Sequence, residues 1–90
     1  MPDVAARSKS KKFSLSKISI QAFIAKAQEH GGQANLEQSS LARPVLRAVF
    51  NDTESAENFY LDINNLKNFR QSLRVLPLYR LKENRPPELN

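Results

Sequence analysis

Residues 43–76, RPVLRAVFNDTESAENFYLDINNLKNFRQSLRVL, decide the fold of this chain because they hold its most ordered apolar patterns. Phe59, Leu61 and Ile63 alternate with polar residues, which is the period of a strand that buries one face. Beyond residue 64 the apolar residues recur every three or four positions, which is the period of an amphipathic helix. The stretch therefore predicts a strand followed by a helix.

Two interpretations of the first half of this stretch compete. In the first, residues 45–51 and 58–64 are the strands of an antiparallel hairpin, joined by a polar loop. In the second, residues 54–76 form one long helix, because Phe59 and Ile63 also fit helical spacing. The asparagines of this segment are poor helix formers, so the hairpin is favoured.

The second half of the stretch is predicted to be a helix over residues 65–76, ended by Pro77. Helical spacing separates its apolar residues from its basic residues. The apolar stripe consists of Leu66, Phe69, Leu73 and Leu76, and the basic stripe contains Lys67, Arg70 and Arg74. Residues 78–81, after the proline, are expected to form a short strand or an extended segment.

Upstream of this stretch the sequence predicts two further helices. Ile20, Phe23 and Ala27 share one helical face, and two glycines follow, so a helix is predicted over residues 17–30. A short second helix is expected over residues 35–42, where an asparagine followed three residues later by a glutamine resembles a capping box.

These elements predict an α+β fold: an N-terminal helix, a short second helix, an antiparallel β-hairpin and a C-terminal amphipathic helix packed on it. The alternative is an all-α three-helix bundle, which follows if residues 45–64 are helical. Residues 13–81 are expected to form a single small globular domain. A flexible basic arm is expected over residues 1–12 and a flexible tail over residues 82–90.

The composition indicates a small domain in a reducing compartment. Ninety residues suffice for one domain with a modest core, and 40% of them are hydrophobic. The chain has no cysteine, which favours a cytoplasmic location over secretion for a domain of this size. No run of about 18 apolar residues is present, so no membrane partner is expected.

The net charge of +5 is unevenly distributed along the chain. Residues 1–17 hold five basic residues and one acidic residue, a net +4. Residues 18–63 hold three basic and six acidic residues, a net −3, and residues 64–90 hold six basic and two acidic residues, a net +4. Two basic ends suit an anionic partner, of which nucleic acid is the commonest. Solubility alone is the competing explanation.

No pattern of residues indicates an enzyme, a metal site or a cofactor. His30 is the only histidine and no cysteine exists to pair with it, so a structural role is expected rather than a catalytic one. The acidic segment 52–57 lacks the glycine and the ligand spacing of a calcium loop. Gly31 and Gly32 are the only glycines, which excludes a glycine-rich phosphate loop.

The resulting hypothesis is a small non-enzymatic nucleic-acid-binding or regulatory accessory protein that contacts DNA or RNA through a basic helix face and a basic N-terminal arm. The alternative is a protein–protein adaptor or inhibitor that binds an acidic partner or pairs through a strand edge, and such an edge also allows a homodimer. Most phenylalanines are expected in the core, which argues against a stacking platform for bases. The candidate contact residues are Lys67, Arg70, Arg74, Arg80 and Lys82 toward the C-terminus, and Arg7, Lys9, Lys11 and Lys12 in the arm.

Overall fold

The computed structural model describes residues 1–9, 15–39 and 42–83. Helices and strands follow one another along these residues in the order β1 (Asp3–Ser8), α1 (Lys17–Glu29), β2 (Gln33–Ser39), β3 (Ala42–Val49), α2 (Thr53–Asn64), α3 (Lys67–Ser72), β4 (Leu73–Leu76) and α4 (Leu78–Glu83). Helix α1 confirms the first predicted helix. Its N-cap is Ser16, whose hydroxyl accepts a hydrogen bond from the Ser19 amide at 3.1 Å.

The strands of the described residues form one antiparallel sheet with the spatial order β2-β3-β1-β4. Helix α1 connects β1 to β2 past β3, and helix α2 lies in the connection from β3 to β4 past β1. This β-α-β-β-α-β order is that of the ferredoxin-like, or split β-α-β, arrangement. The predicted α+β class is therefore confirmed, and the alternative of a three-helix bundle is wrong.

Strand β1 lies in the interior of the sheet, where the sequence predicts a flexible arm over residues 1–12. It pairs with β3 on one side and with β4 on the other, and Val4 and Ala6 are fully buried. The prediction is wrong over β1 because the pairing partners lie far along the chain, where local periodicity does not show them. The predicted domain covers residues 13–81, so the sheet includes a strand, β1, that precedes this domain. The part of the arm that follows Lys9 lies outside the described residues.

Helix α2 occupies the segment in which the sequence favours the second strand of a hairpin. Its N-cap is Asp52, whose carboxylate accepts a hydrogen bond from the Ser55 amide at 2.7 Å. Phe59 and Ile63 lie one helical turn apart and are fully buried, whereas Leu61 between them is 48% exposed. The strand prediction is wrong because apolar residues four positions apart fit both periods. The aspartate cap and the buried face outweigh the low helix propensity of asparagine.

The hairpin of the structure lies earlier in the chain, between β2 and β3. The first predicted strand, residues 45–51, overlaps β3, and its partner is β2, with Gln33 opposite Val49. The predicted short helix over residues 35–42 is wrong, since most of it belongs to β2. An asparagine–glutamine capping pattern without an apolar helical stripe behind it does not define a helix.

The predicted helix over residues 65–76 is divided between α3 and β4. Helix α3 ends at Ser72, and β4 follows at once and pairs with β1. The backbone of β1 needs hydrogen-bond partners on that side, and β4 supplies them, which helical spacing does not reveal. After Pro77, helix α4 replaces the predicted extended segment of residues 78–81. It also includes the start of the predicted tail, residues 82–90, whose remainder lies outside the described chain.

The core lies between the sheet and helices α1 and α2, and its centre is Phe59. The Phe59 ring meets Phe23 of α1 edge-on at a centroid distance of 5.1 Å and lies 5.0 Å from the ring of Phe50. These three rings are at most 1% exposed. Ala6 and Ala48, on the inner face of the sheet, are small and belong to the same buried cluster. These small side chains on the sheet leave room for the large phenylalanine rings to pack against it.

Gly32 is expected to tolerate no side chain. A Cβ atom there would lie 2.8 Å from the Val49 carbonyl oxygen and closer still to the Phe50 ring. We expect Gly32→Ala to lower the free energy of unfolding by about 1–3 kcal/mol, the usual penalty for overpacking a core. Urea unfolding followed by circular dichroism measures this. The control is Gly31→Asn, because Gly31 has a φ of 78° that asparagine tolerates and open space around it. Equal losses in both variants would contradict the packing argument.

Candidate nucleic-acid interface

Two cationic side chains stand directly opposite each other on neighbouring strands. In the pairing of β1 with β4, Arg7 is the partner of Arg74, and both are exposed. They follow the buried residues Ala6 and Leu73, so they point away from the core, on the outer face of the sheet. Opposite residues of an antiparallel pair have Cα atoms about 4.5–5.5 Å apart, so the two guanidinium groups share one patch of surface.

The same strand pairing brings α3 to this patch. The Lys9 amide donates a hydrogen bond to the Ser72 carbonyl oxygen at 3.0 Å, which joins the end of β1 to the last residue of α3. Helix α3 carries Lys67 and Arg70, and both are exposed. Cations from two distant parts of the sequence therefore meet at one end of the sheet.

The prediction that the basic residues form a stripe on a single helix is wrong. Lys67 and Arg70 lie on α3, whereas Arg74 lies on β4. The structure instead combines these residues with Arg7 and Lys9, which the sequence places on a flexible arm. Strand pairing, rather than helical spacing, assembles the cluster. Binding of nucleic acid to this cluster stays a prediction.

Five of the acidic side chains that the structure describes lie elsewhere and form ion pairs with other cations. The ion pairs are Arg47 with Asp3 and Glu37, Lys26 with Glu29 and Asp62, and Arg80 with Glu57. Among the side chains that the structure describes, the Lys and Arg residues without an ion pair are Arg7, Lys9, Lys17, Lys67, Arg70 and Arg74. All of them lie where β1 ends, α1 begins and α3 leads into β4. We call this surface the basic end.

Arg80, a predicted contact residue, is held in another part of the molecule. Its Nη2 donates to both carboxylate oxygens of Glu57 at 2.8 Å, and its guanidinium carbon lies 4.9 Å from the centre of the Tyr60 ring. The Tyr79 hydroxyl also donates to Glu57. Burial, followed by this hydrogen bond, raises the pKa of Tyr79 to about 12. These contacts hold α4 against α2, so the charge of Arg80 serves the fold.

The structure adds one cation to the predicted set. Lys17 is the first residue of α1, directly after the Ser16 cap, and it is exposed. The signal for it was the basic, serine-rich segment that precedes the first helix. Of the remaining predicted contacts, Lys82 lies on α4, and Lys11 and Lys12 fall outside the described residues.

An apolar groove opens beside the basic end, between α1 and α3. It has a volume of about 410 Å³. Ile18 and Ala22 line it from α1, and Lys67, Phe69 and Ser72 line it from α3. Ile18 is 80% exposed. Sequence reasoning missed this groove because its walls come from two helices that only the fold brings together.

The histidine takes part in a contact between α1 and α2, in line with its expected structural role. The Nε2 atom of His30 lies 3.0 Å from the Asp62 carboxylate, and its ring packs edge-on against Phe59 at a centroid distance of 6.1 Å. Lys26 approaches the same carboxylate to 3.4 Å. The hydrogen bond with His30 is the largest cause that lowers the pKa of Asp62, and the hydrogen bond with Lys26 adds to it.

We expect Asp62→Asn to lower stability in a pH-dependent manner. The folded-state pKa of Asp62 lies below its ordinary value of 3.8, so its charge stabilises the fold above that pH. This contribution is lost as the pH falls through the folded-state pKa. Because the side chain is 36% exposed, solvent screening limits the difference to roughly 1 kcal/mol at about pH 6, and it should be smaller at about pH 2. Urea unfolding at both pH values measures it, and an equal difference at both would contradict the assignment.

The outer face of the sheet carries no aromatic ring at its described positions on β1 and β3. These positions are Asp3, Ala5, Arg7, Val45, Arg47 and Val49. Phe23, Phe59 and Phe69 are buried in the core, as the sequence predicts. RNA-recognition sheets of this topology stack bases on aromatic residues of their strands. The described outer-face positions of β1 and β3 therefore offer no aromatic ring on which a base could stack.

Comparisons with known proteins leave the function to be argued from this geometry. No protein-family model, no curated protein and no solved structure matches the chain. Within residues 1–9, 15–39 and 42–83, no three His, Cys, Asp or Glu side chains come together as the ligands of a metal ion would. The helices of this part of the chain are all too short or too polar to cross a membrane.

Proposed function

We propose that this chain is a small non-enzymatic nucleic-acid-binding protein that contacts the sugar–phosphate backbone of DNA or RNA through the basic end. The observation that carries the proposal is the pairing of Arg7 with Arg74. Like charges directly opposite on neighbouring strands destabilise a sheet, and no described acidic side chain pairs with either of them. A polyanion that bridges the two guanidinium groups removes this repulsion.

The other groups of the basic end suit phosphates as well. Guanidinium groups bind two phosphate oxygens at once, and the ammonium groups of Lys9 and Lys67 act as point charges. Lys17 begins α1, and the positive end of a helix also favours anions. Phosphate contacts carry no direct sequence information, so binding to many sequences is expected.

Fluorescence anisotropy with a labelled oligonucleotide tests the proposal. The chain should bind at about 50 mM salt, and the logarithm of its affinity should fall linearly with the logarithm of salt concentration. Each phosphate contact with a single strand contributes roughly 0.7 to that slope, so a slope of about −4 is expected if every cation of the basic end takes part. Absence of binding at low salt would overturn the proposal.

An acidic protein is the alternative partner for the same surface, and competition separates the two. A polyglutamate peptide of equal charge should displace the oligonucleotide only weakly, because carboxylates on a peptide do not match the spacing of a phosphate backbone. If the peptide competes equally well, the acidic-partner hypothesis is favoured. A cytoplasmic location is part of the proposal and is supported by the lack of cysteine.

The outer edge of β2 favours a second form of association. Among the strands that the structure describes, β2 is hydrogen-bonded to β3 alone, and Leu36 on β2 is 40% exposed. An unpaired strand edge is a template for pairing with a second strand. We propose a homodimer through this edge of the sheet, which is opposite to the edge formed by β4. Sedimentation velocity tests it, and a monomer at every concentration would exclude it.

A further inference from the structure

We propose that the basic end selects single-stranded over double-stranded nucleic acid and seats one unstacked base in the groove between α1 and α3. This inference rests on the proposed nucleic-acid binding. It adds that the bound nucleic acid is single-stranded and that one of its bases lies in the groove.

The basic end extends around the end of the sheet. Arg7 and Arg74 project from the outer face, whereas the groove lies on the inner side, among the helices. The hydrogen-bonded residues Lys9 and Ser72 form the end of the sheet between these two sites, and Ser72 also lines the groove. A backbone that touches both sites must therefore bend sharply. Duplex DNA has a persistence length of about 150 base pairs and resists such a bend, whereas a single strand does not.

The chemistry of the groove suits a base. Its volume of about 410 Å³ falls within the range of small-molecule pockets, roughly 300–1,000 Å³. Its apolar side chains include Ala22, Phe69 and the exposed Ile18. The Ser19 hydroxyl, also on its lining, accepts a hydrogen bond from Ser16 at 2.9 Å and keeps its own proton for the polar edge of a base.

Charge complementarity identifies the occupant. Lys67 lines the groove, and Lys17 lies in the sequence between the lining residues Ser16 and Ile18. No described acidic side chain lines the groove. The occupant must therefore combine a flat, largely apolar group with negative charges on both sides of it, which is the construction of a single-stranded nucleic acid.

Three labelled probes in anisotropy test the inference: a short single strand, the same strand with abasic sites in place of its bases, and the duplex of the first strand. Wild-type protein should bind the intact strand roughly tenfold more tightly than the abasic strand, since the abasic strand has no base to bury in the groove. At equal salt it should bind the duplex more weakly than the intact strand.

Two variants locate the base in the groove. Ala22→Leu fills the groove, and Ile18→Ser removes an exposed apolar side chain from its wall without changing the core. Both should bring the affinity for the intact strand toward that for the abasic strand and leave the salt slope unchanged. The matched control is Leu61→Ser, which removes an exposed apolar side chain of α2 that is not part of the groove and should change no affinity.

The outcomes separate this inference from the proposal on which it rests. Equal affinity of wild-type protein for intact and abasic strands, or tighter binding of the duplex, would overturn the inference and leave backbone binding intact. A loss of affinity in Leu61→Ser equal to that in Ile18→Ser would also overturn it. If none of the probes binds at low salt, both the inference and the proposed function are wrong.

Discussion

Replacing Arg7 and Arg74 together by glutamine is expected to weaken binding of a single strand by roughly 100-fold at low salt. Each charge-assisted hydrogen bond contributes about 1.5 kcal/mol, and 1.4 kcal/mol corresponds to a tenfold change in affinity. Glutamine is uncharged and shorter than arginine, but its amide can still donate hydrogen bonds to a phosphate, so the loss of charge is the main change. Anisotropy at a fixed low salt concentration measures it.

The same variant should show two further changes. Its salt slope should fall by roughly 1.4 units, because two phosphate contacts with a single strand are lost. Its free energy of unfolding should be equal to or above that of the wild type, since a like-charge pair directly opposite on two strands is removed. A loss of affinity that accompanies unfolding would not count as support, which is why both measurements are made on the same preparation.

The control for this variant is Lys26→Gln with Arg80→Gln. It removes the same net charge, but from cations that are paired with Asp62, Glu29 and Glu57. We expect its affinity to fall by less than a few-fold, because neither cation belongs to the basic end. Equal losses in the two double variants would show that net charge, and not the position of the cations, governs binding.

Replacing Phe59 by alanine is expected to have the largest effect on stability. A buried phenylalanine truncated to alanine loses about 3–5 kcal/mol. Small domains are stable by roughly 0.05–0.15 kcal/mol per residue, which is about 5–13 kcal/mol for a chain of this length. The variant should therefore be left with little stability. Thermal unfolding should show a fall in Tm of roughly 12–40 °C, at about 4–8 °C for each kcal/mol.

The physical reason is the position of Phe59 between elements that are distant in sequence. Its ring contacts Phe23 of α1, Phe50 after β3 and the ring of His30. Truncation leaves a cavity at the junction of both helices with the sheet. The control is Leu61→Ala on the same helix, which is 48% exposed and should lose well under 1 kcal/mol. A loss in Phe59→Ala no greater than in this control would contradict the described core.

The helix that could be predicted from the sequence is the one whose signals are all local. Helix α1 has a serine cap, an apolar face at helical spacing and a glycine pair at its end, and each of these can be read within a few residues. The signal for α2 was also present, in Asp52 three residues before Ser55. It was outweighed by the alternation of Phe59, Leu61 and Ile63, which a helix also satisfies at its first and last members.

Strand β1 and strand β4 could not be predicted in this way, because each depends on the other. Val4, Ala5 and Ala6 form too short an apolar run to indicate a strand, and two of them are alanines, which are depleted in strands. Leu73 and Val75 fit a strand only when β1 is present to accept their pairing. The small residues in β1 leave space for the large rings that the helices pack against the sheet. This packing belongs to the tertiary structure, so the sequence of β1 alone does not show it.

For the candidate site, the sequence predicts which residues are involved but not how they are arranged in space. Counting charges along the chain finds Arg7, Lys9, Lys67, Arg70 and Arg74, all of which belong to the basic end. Counting does not show that the first two and the last three meet, because strand pairing brings them together. Nor does it separate them from Arg80, whose partner Glu57 lies far from it in sequence.

An NMR titration of the backbone amides with a single-stranded oligonucleotide at low salt tests the central claim most directly. If the basic end is the binding surface, the perturbed amides cluster in residues 7–9, 16–22 and 66–74, and the amides of β2 and of α4 stay unchanged. Addition of salt should reverse the shifts. Shifts that centre on Arg80 and α4, or that spread evenly over the surface, would contradict the account.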